Sequence, residues 1–175
     1  MSLTTYRQGT AQRQGLLELC AILPVCGNAI EIGSYAGESA EIFLASSKVA
    51  HLTCVDPFID KDGAPGCLPD YEREFDHRMA AFPGRVEKIK AASMTALEGL
   101  VRRTEFDLIY IDGRHDYPSV SWDIRHWQML LRPGGFIGGH DYTPQQPGVV
   151  RAVDEEFGQP WKTFQDGSWL CRIGE

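Results

Sequence analysis

The chain has 175 residues, 43% of them in the AVILMFWYC set, and carries 17 Lys+Arg against 24 Asp+Glu for a formal charge of −7. That length suits one domain over residues 1–175, the composition is that of a globular fold, and the negative balance argues against a nucleic-acid partner. No apolar run approaches the roughly 20 residues of a membrane span, and MSLTTYRQGTAQRQG lacks the charged-then-apolar pattern of a secretory signal, so a soluble cytoplasmic domain with no membrane contact is expected.

Residues 10–23 carry Leu16, Leu19, Cys20 and Leu23 at helical spacing, and Pro24 stops the run. Residues 29–32 read as a short buried strand broken by Gly33, and Ala40, Phe43 and Leu44 set one apolar face on a helix starting near Gly37. Residues 52–55 form a second strand ending at Asp56. The stretch 59–70, with Gly63, Pro65, Gly66 and Pro69, is a loop, and 71–81 a helix before Pro83 and Gly84. A third strand covers 86–89 and a helix 94–103. FDLIYI (106–111) is nearly continuous in apolar residues, as for a central strand covered on both faces. Val120, Ile124, Trp127 and Leu131 define the clearest helix, which Pro133-Gly134-Gly135 is expected to end before a fifth strand at 136–139. A helix over 149–157 follows, then two β-prone runs around Asp166-Gly167, a hairpin signal. Strands alternating with helices predict an α/β, doubly wound, Rossmann-like sheet, mostly parallel and seven-stranded, closed by an antiparallel hairpin.

In open sheets of this kind ligands bind beyond the carboxyl ends of the strands, near the reversal of strand order. The first strand is followed by Gly33-Ser34-Tyr35-Ala36-Gly37-Glu38-Ser39, where Gly33 permits a tight turn and Gly37 a close backbone approach. Asp56 follows the second strand, where an acid accepts from ribose hydroxyls. Asp112-Gly113-Arg114-His115 follows the fourth and His140-Asp141-Tyr142 the fifth. The loop fails the dinucleotide fingerprint G-x-G-x-x-G, with Tyr35 and Glu38 at two of its glycine positions, and is no P-loop. Of the five cysteines none forms C-x-x-C, and Cys20 and Cys54 sit in apolar stretches, so reduced thiols are expected.

EIGSYAGES, VDPF, FDLIYIDGRHDY and LRPGGFIGGHDY together resemble a class I S-adenosylmethionine-dependent methyltransferase over about residues 30–157, nearest the compact bacterial subgroup of cephalosporin- and macrolide-tailoring O-methyltransferases. The resemblance implies that the Gly33–Gly37 loop, with Ser34, Tyr35 and Ser39 and preceded by Glu31, holds the methionine end of S-adenosyl-L-methionine. It places Asp56 on the ribose, Pro57, Phe58 and Ser93 near the adenine, and Asp112 beside the cofactor. Metal-dependent relatives carry one acid after the fourth strand and two adjacent ligands after the fifth, which here are Asp112, His140 and Asp141. Oxygen ligands suit Mg²⁺, whereas an imidazole at His140 favours Mn²⁺ or another transition metal. Alternatively His140 or His115 is a general base without metal. Asp112, His115 and His140 are thus the candidate catalytic residues.

The transfer itself needs alignment and deprotonation more than covalent chemistry. A small-molecule acceptor, methylated at oxygen, is expected, with residues 61–75 as a candidate lid and a homodimer as one way to complete the pocket. His77, His126, Trp122, Trp127 and Asp107 read as packing, surface or orienting residues. The rival readings are an NAD- or nucleotide-binding enzyme and a cofactor-binding module without turnover. A nucleic-acid methyltransferase is disfavoured by the charge and by Ile111-Asp112-Gly113-Arg114 where Asn/Asp-Pro-Pro-Tyr/Phe would stand.

Overall fold

A computed structural model describes residues 10–59, 71–100 and 106–174. Most of the candidate lid, Cys67 and the end of the helix expected over 94–103 therefore lie outside the described residues. The elements are α1 (Thr10–Ile22), β1 (Cys26–Ile32), α2 (Glu38–Ala45), β2 (Val49–Asp56), α3 (Tyr71–Met79), β3 (Val86–Lys90), α4 (Ser93–Leu100), β4 (Phe106–Ile111), α5 (Tyr117–Trp127), β5 (Leu131–Gly139), α6 (Pro147–Phe157), β6 (Lys162–Thr163) and β7 (Trp169–Arg172). Local chemistry explains the clearest boundaries. Asp116 caps α5 by accepting from Ser119 N at 3.1 Å, with Pro118 in the first turn, where its missing N–H costs nothing.

The strands form one seven-stranded sheet in the order β3-β2-β1-β4-β5-β7-β6. Strands β1 to β5 run parallel, and β7 is antiparallel to both β5 and β6. This is the doubly wound, mostly parallel fold with a terminal hairpin that the sequence predicts. The order reverses between β1 and β4, so the ends of these two strands flank the crevice.

Each face of the sheet is buried under helices. Along β4, Leu108 and Tyr110 join the layer of α1, α2 and α3, where Leu16, Leu19, Phe43 and Phe75 pack. Ile109 and Ile111 join the layer of α4, α5 and α6, with Val120, Ile124, Trp127 and Val153. The period of two therefore runs through a strand whose sequence looks uniformly apolar. It also puts Glu31, the strand partner of Tyr110, on the α1–α3 side. Arg78 of α3 reaches into that layer and pairs with Glu41 at 2.8 Å and Glu38 at 3.5 Å, tying α3 to the start of α2.

One boundary differs from expectation. Pro133-Gly134-Gly135 lies inside β5 and does not end the preceding helix, which stops at Trp127 and passes through a 3-10 turn at Gln128–Leu130. Leu131 is already extended and pairs with Phe106, while the next partner of β4, Leu108, faces Phe136. The intervening residues are absorbed as an irregularity in β5, for which Gly134 supplies a φ of 77°. Asp107 lies within β4, where it accepts from Asn28 N at 2.8 Å and pairs with Arg132.

Ile109 is wholly buried at the centre of β4. Ile109→Ala is expected to lower the unfolding free energy by about 2–5 kcal/mol, read from urea titration followed by circular dichroism.

Candidate active site

The first strand ends where the chain must turn sharply against β4. Gly33 has φ 93°, and a Cβ there would stand 2.2 Å from the Asp112 carbonyl oxygen, so the glycine turn rests directly on the backbone that follows β4. Gly37 (φ 81°) opens α2, with Phe75 and Met79 where a side chain would go. Between them Tyr35 holds φ 46°, an unusual state for a residue with a Cβ. Its amide donates to Asp56 Oδ2 at 2.8 Å, and its exposed ring stacks on Tyr71 with centroids 4.0 Å apart.

Asp56 also accepts from Phe58 N, at 2.6 Å through Oδ1, so one carboxylate fixes both the glycine loop and the loop after β2. Each oxygen keeps a second lone pair for a ribose hydroxyl. The Phe58 ring turns towards α3 and packs on Phe75 at 5.3 Å, with Lys88 Nζ 5.0 Å from its centroid. Ser93 is likewise engaged inside the fold: its hydroxyl donates to Asp123 and accepts from Trp127 Nε1 at 2.8 Å. That arrangement anchors the start of α4 to α5, and Asp123 is a site-adjacent residue that the sequence reading passed over. Burial pushes its carboxyl up to about 6, against the pull of Ser93 and Trp127.

Glu31 has no exposed surface. Ser39 Oγ donates to Oε1 at 2.5 Å and Ser34 lies beside the same group, whereas Oε2 has no hydrogen-bond partner. Burial pushes the Glu31 carboxyl up to about 7, with Asp112 and Asp56 adding to the rise. An orphaned acceptor at the end of β1 is what a cationic ligand group in the crevice would satisfy.

At the ends of β4 and β5, four side chains converge. His115 Nε2 lies 3.1 Å from Asp141 Oδ2 and 3.7 Å from Asp112 Oδ1. Donor atoms of Asp112, His115 and Asp141 all fall within 4.8 Å of one another, a compact set of one nitrogen and two oxygens. The sequence points to Asp112, His140 and Asp141 as the ligand set; His115 joins the two carboxylates here, and His140 stands beside them as well. His140 still continues β5, its amide bonded to Ile111 O at 3.1 Å, while Asp141 adopts φ 62° and swings the chain aside.

The His140 ring is buried behind the carboxylates. Nδ1 lies 3.4 Å from Asp141 and 4.0 Å from Asp112, and Nε2 lies 3.8 Å from Asp166, a residue of the hairpin turn. Burial alone would lower its pKa, but the three carboxylates win and raise it to about 9. With no cation in the crevice, those carboxylates favour the protonated ring. Burial also raises Asp112, opposed by both histidines. His77 is exposed, His126 stacks on Trp122 at 4.1 Å and Trp127 is core, as read from sequence.

This glycine turn, with acids at the ends of β2, β4 and β5, lies within the reach of a family match. The family described as Methyltransferase domain covers residues 30–142. The chain belongs to that family. The methyltransferase domain has the fold of solved methyltransferases: it aligns with an O-methyltransferase of Bacillus cereus in complex with S-adenosylhomocysteine at TM-score 0.69 and 17% identity, covering 99% of this chain and 84% of that one. It aligns with the O-methyltransferase TomG of Streptomyces achromogenes, in complex with S-adenosylmethionine, at TM-score 0.67 and 17% identity, covering 96% and 82%. An uncharacterized protein of Acanthamoeba polyphaga mimivirus is 25% identical over 134 residues, and the domain spans 57% of that protein's length.

The raised groups of the domain fix a pH dependence. A carboxyl raised by folding contributes stability that is complete below the ordinary carboxyl range and is lost as pH rises through about 6 for Asp123 and about 7 for Glu31. A raised histidine contributes stability complete below 6.5 and lost as pH rises through about 9. Unfolding free energy is expected to decline from about pH 5 to about pH 9, each group contributing on the order of 1–3 kcal/mol. In urea titrations across that range, Glu31→Gln should flatten the lower half of the profile and His140→Gln the upper half.

Proposed function

We propose that this domain transfers a methyl group from S-adenosylmethionine to an oxygen of a small molecule, with a divalent cation held by Asp112, His115 and Asp141. The observation that carries the reading is the convergence of those three side chains beside the Gly33 turn. When bound, S-adenosylmethionine supplies an already activated methyl group, and the cation supplies a Lewis acid that lowers the pKa of an acceptor hydroxyl.

The residues fit the cofactor. Glu31 Oε2 is an orphaned, buried acceptor for an ammonium group, Gly33 and Gly37 leave room where side chains would stand, and Asp56 keeps acceptor capacity for ribose. They also fit a metal. Two carboxylates and an imidazole favour Mn²⁺, Fe²⁺ or Zn²⁺ over Mg²⁺, which prefers oxygen alone. His140, enclosed beside the same carboxylates, would hold Asp112 and Asp141 in place. The crevice rim carries several carboxylates within a chain of charge −7, which supports a small acceptor over a polyanion. Among the described residues no helix is long and apolar enough to cross a membrane, and Cys20, Cys26, Cys54 and Cys171 are free thiols, which supports a reducing, cytoplasmic setting.

A second reading rests on the 3.1 Å approach of His115 to Asp141: without metal, an imidazole oriented by a carboxylate can serve as a general base. Calorimetric titration with S-adenosylhomocysteine, with NAD⁺ as control, is expected to show binding of the first alone; Asp56→Ala should weaken it by about 1–3 kcal/mol. Failure to bind S-adenosylhomocysteine would remove the methyltransferase reading. On a panel of catechols and sugars, EDTA is expected to abolish transfer and Mn²⁺ to restore it. Transfer unaffected by EDTA would favour His115 as base.

A further inference from the structure

We propose that Asp166, in the turn between β6 and β7, is a positioning residue of this site: it holds the His140 ring from behind and through it sets the Asp141 carboxylate. The inference rests on the reading of Asp112, His115 and Asp141 as the reacting end of the crevice.

An aspartate in an Asp-Gly hairpin turn ordinarily points into water, but the Asp166 side chain is 0% exposed. Its Oδ1 accepts from Ser168 N at 3.0 Å and its Oδ2 from Ser168 Oγ at 2.8 Å. Two neutral donors do not offset a buried carboxylate's charge, and Nε2 of the His140 ring lies 3.8 Å from Oδ2. The other nitrogen of that ring lies 3.4 Å from Asp141. One imidazole ring thus lies between two carboxylates, one in the hairpin and one in the crevice.

The turn and the site are joined at further points. Tyr142 N donates to Gly167 O at 2.9 Å, and a Cβ on Gly167 would come within 2.6 Å of the Thr143 methyl. Asp141, between His140 and Tyr142, keeps a φ of 62° that persists in a residue with a side chain when the surroundings over-determine it. Ser168 Oγ also meets Tyr110 OH at 3.0 Å, linking the turn to β4, the strand that leads to Asp112. On the outer side α1 closes over the group: a Cβ on Gly15 would stand 2.0 Å from Asp166 Oδ1. The carboxylate is packed between a helix backbone and a ring, with little freedom to relax.

His115 reports on the arrangement, because its ring nitrogen lies 3.1 Å from Asp141 Oδ2. In Asp166→Asn the amide oxygen still accepts from Ser168, but the charge is gone. Side-chain ¹H–¹⁵N correlation spectra are expected to show the His115 ring resonances displaced in Asp166→Asn. In the His140→Gln background the same substitution should leave them unmoved. Ser168→Ala, which loosens the carboxylate without discharging it, should displace them in the same sense and serves if Asp166→Asn does not fold. Unmoved His115 resonances, or an equal displacement with and without His140, would overturn the proposal and leave Asp166 a purely structural counter-charge. Calorimetry with S-adenosylhomocysteine on the same samples separates the two ideas: loss of the cofactor reading appears as no binding to the wild-type protein, whatever the histidine spectra show.

Discussion

The contact between Gly33 and the carbonyl of Asp112 is the constraint from which the site follows. At 2.2 Å from a would-be Cβ, the two strand ends at the reversal of sheet order are as close as backbones can come. That closeness puts the turn after β1 directly against the turn after β4. The loop amides, the Glu31 carboxylate and the side chain of Asp112 then share one small volume. The parallel register of β1 with β4, running from Ala29–Leu108 to Ile32–Ile111, delivers both turns at the same height.

A second theme is charge held without water. Glu31, Asp112, Asp123 and Asp166 lie within or beneath the crevice with little solvent, and the His140 ring stands among Asp112, Asp166 and Asp141. Burial raises the proton affinities of Glu31, Asp112 and Asp123 and costs stability near neutral pH, an expense that folds tolerate mainly where function requires it. Asp123 illustrates the economy of the device: with Ser93 and Trp127 it forms a satisfied cluster that joins two helices, so its energetic cost is offset by architecture.

The sheet was legible in the sequence because each strand is a short apolar run followed by glycine or an acid, and each helix carries its own periodicity. What failed at Pro133-Gly134-Gly135 was an assumption that breakers end helices. Here the helix had already stopped at Trp127, and the glycines serve an irregular strand whose pairing cannot be seen locally. The crevice residues were legible as a list and not as an arrangement. His140 and His115 approach the same two carboxylates from different sides, and Asp141 between β5 and the next loop takes a left-handed backbone, a conformation that adjacent spacing does not announce. Ser93 looked available until Asp123 and Trp127, some thirty residues away, took both ends of its hydroxyl. Asp166 was read as a turn former because the ring it faces is contributed by a strand two elements earlier.

Gly15 and Asp166 stand near opposite ends of the described chain, yet α1 lies on the hairpin with room only for a hydrogen between them. During synthesis β1 to β5 and their helices emerge before β7 exists, so until then β5 presents a bare edge and His140 has nothing behind it. A chain made only that far would lack the strand that covers β5 and backs the crevice. In the complete domain β7 lies between β5 and β6, covers that edge and brings the hairpin turn against the first helix. Competence and edge protection consequently arrive together, and a partly made chain is exposed to strand-pairing errors before it can bind anything in its crevice.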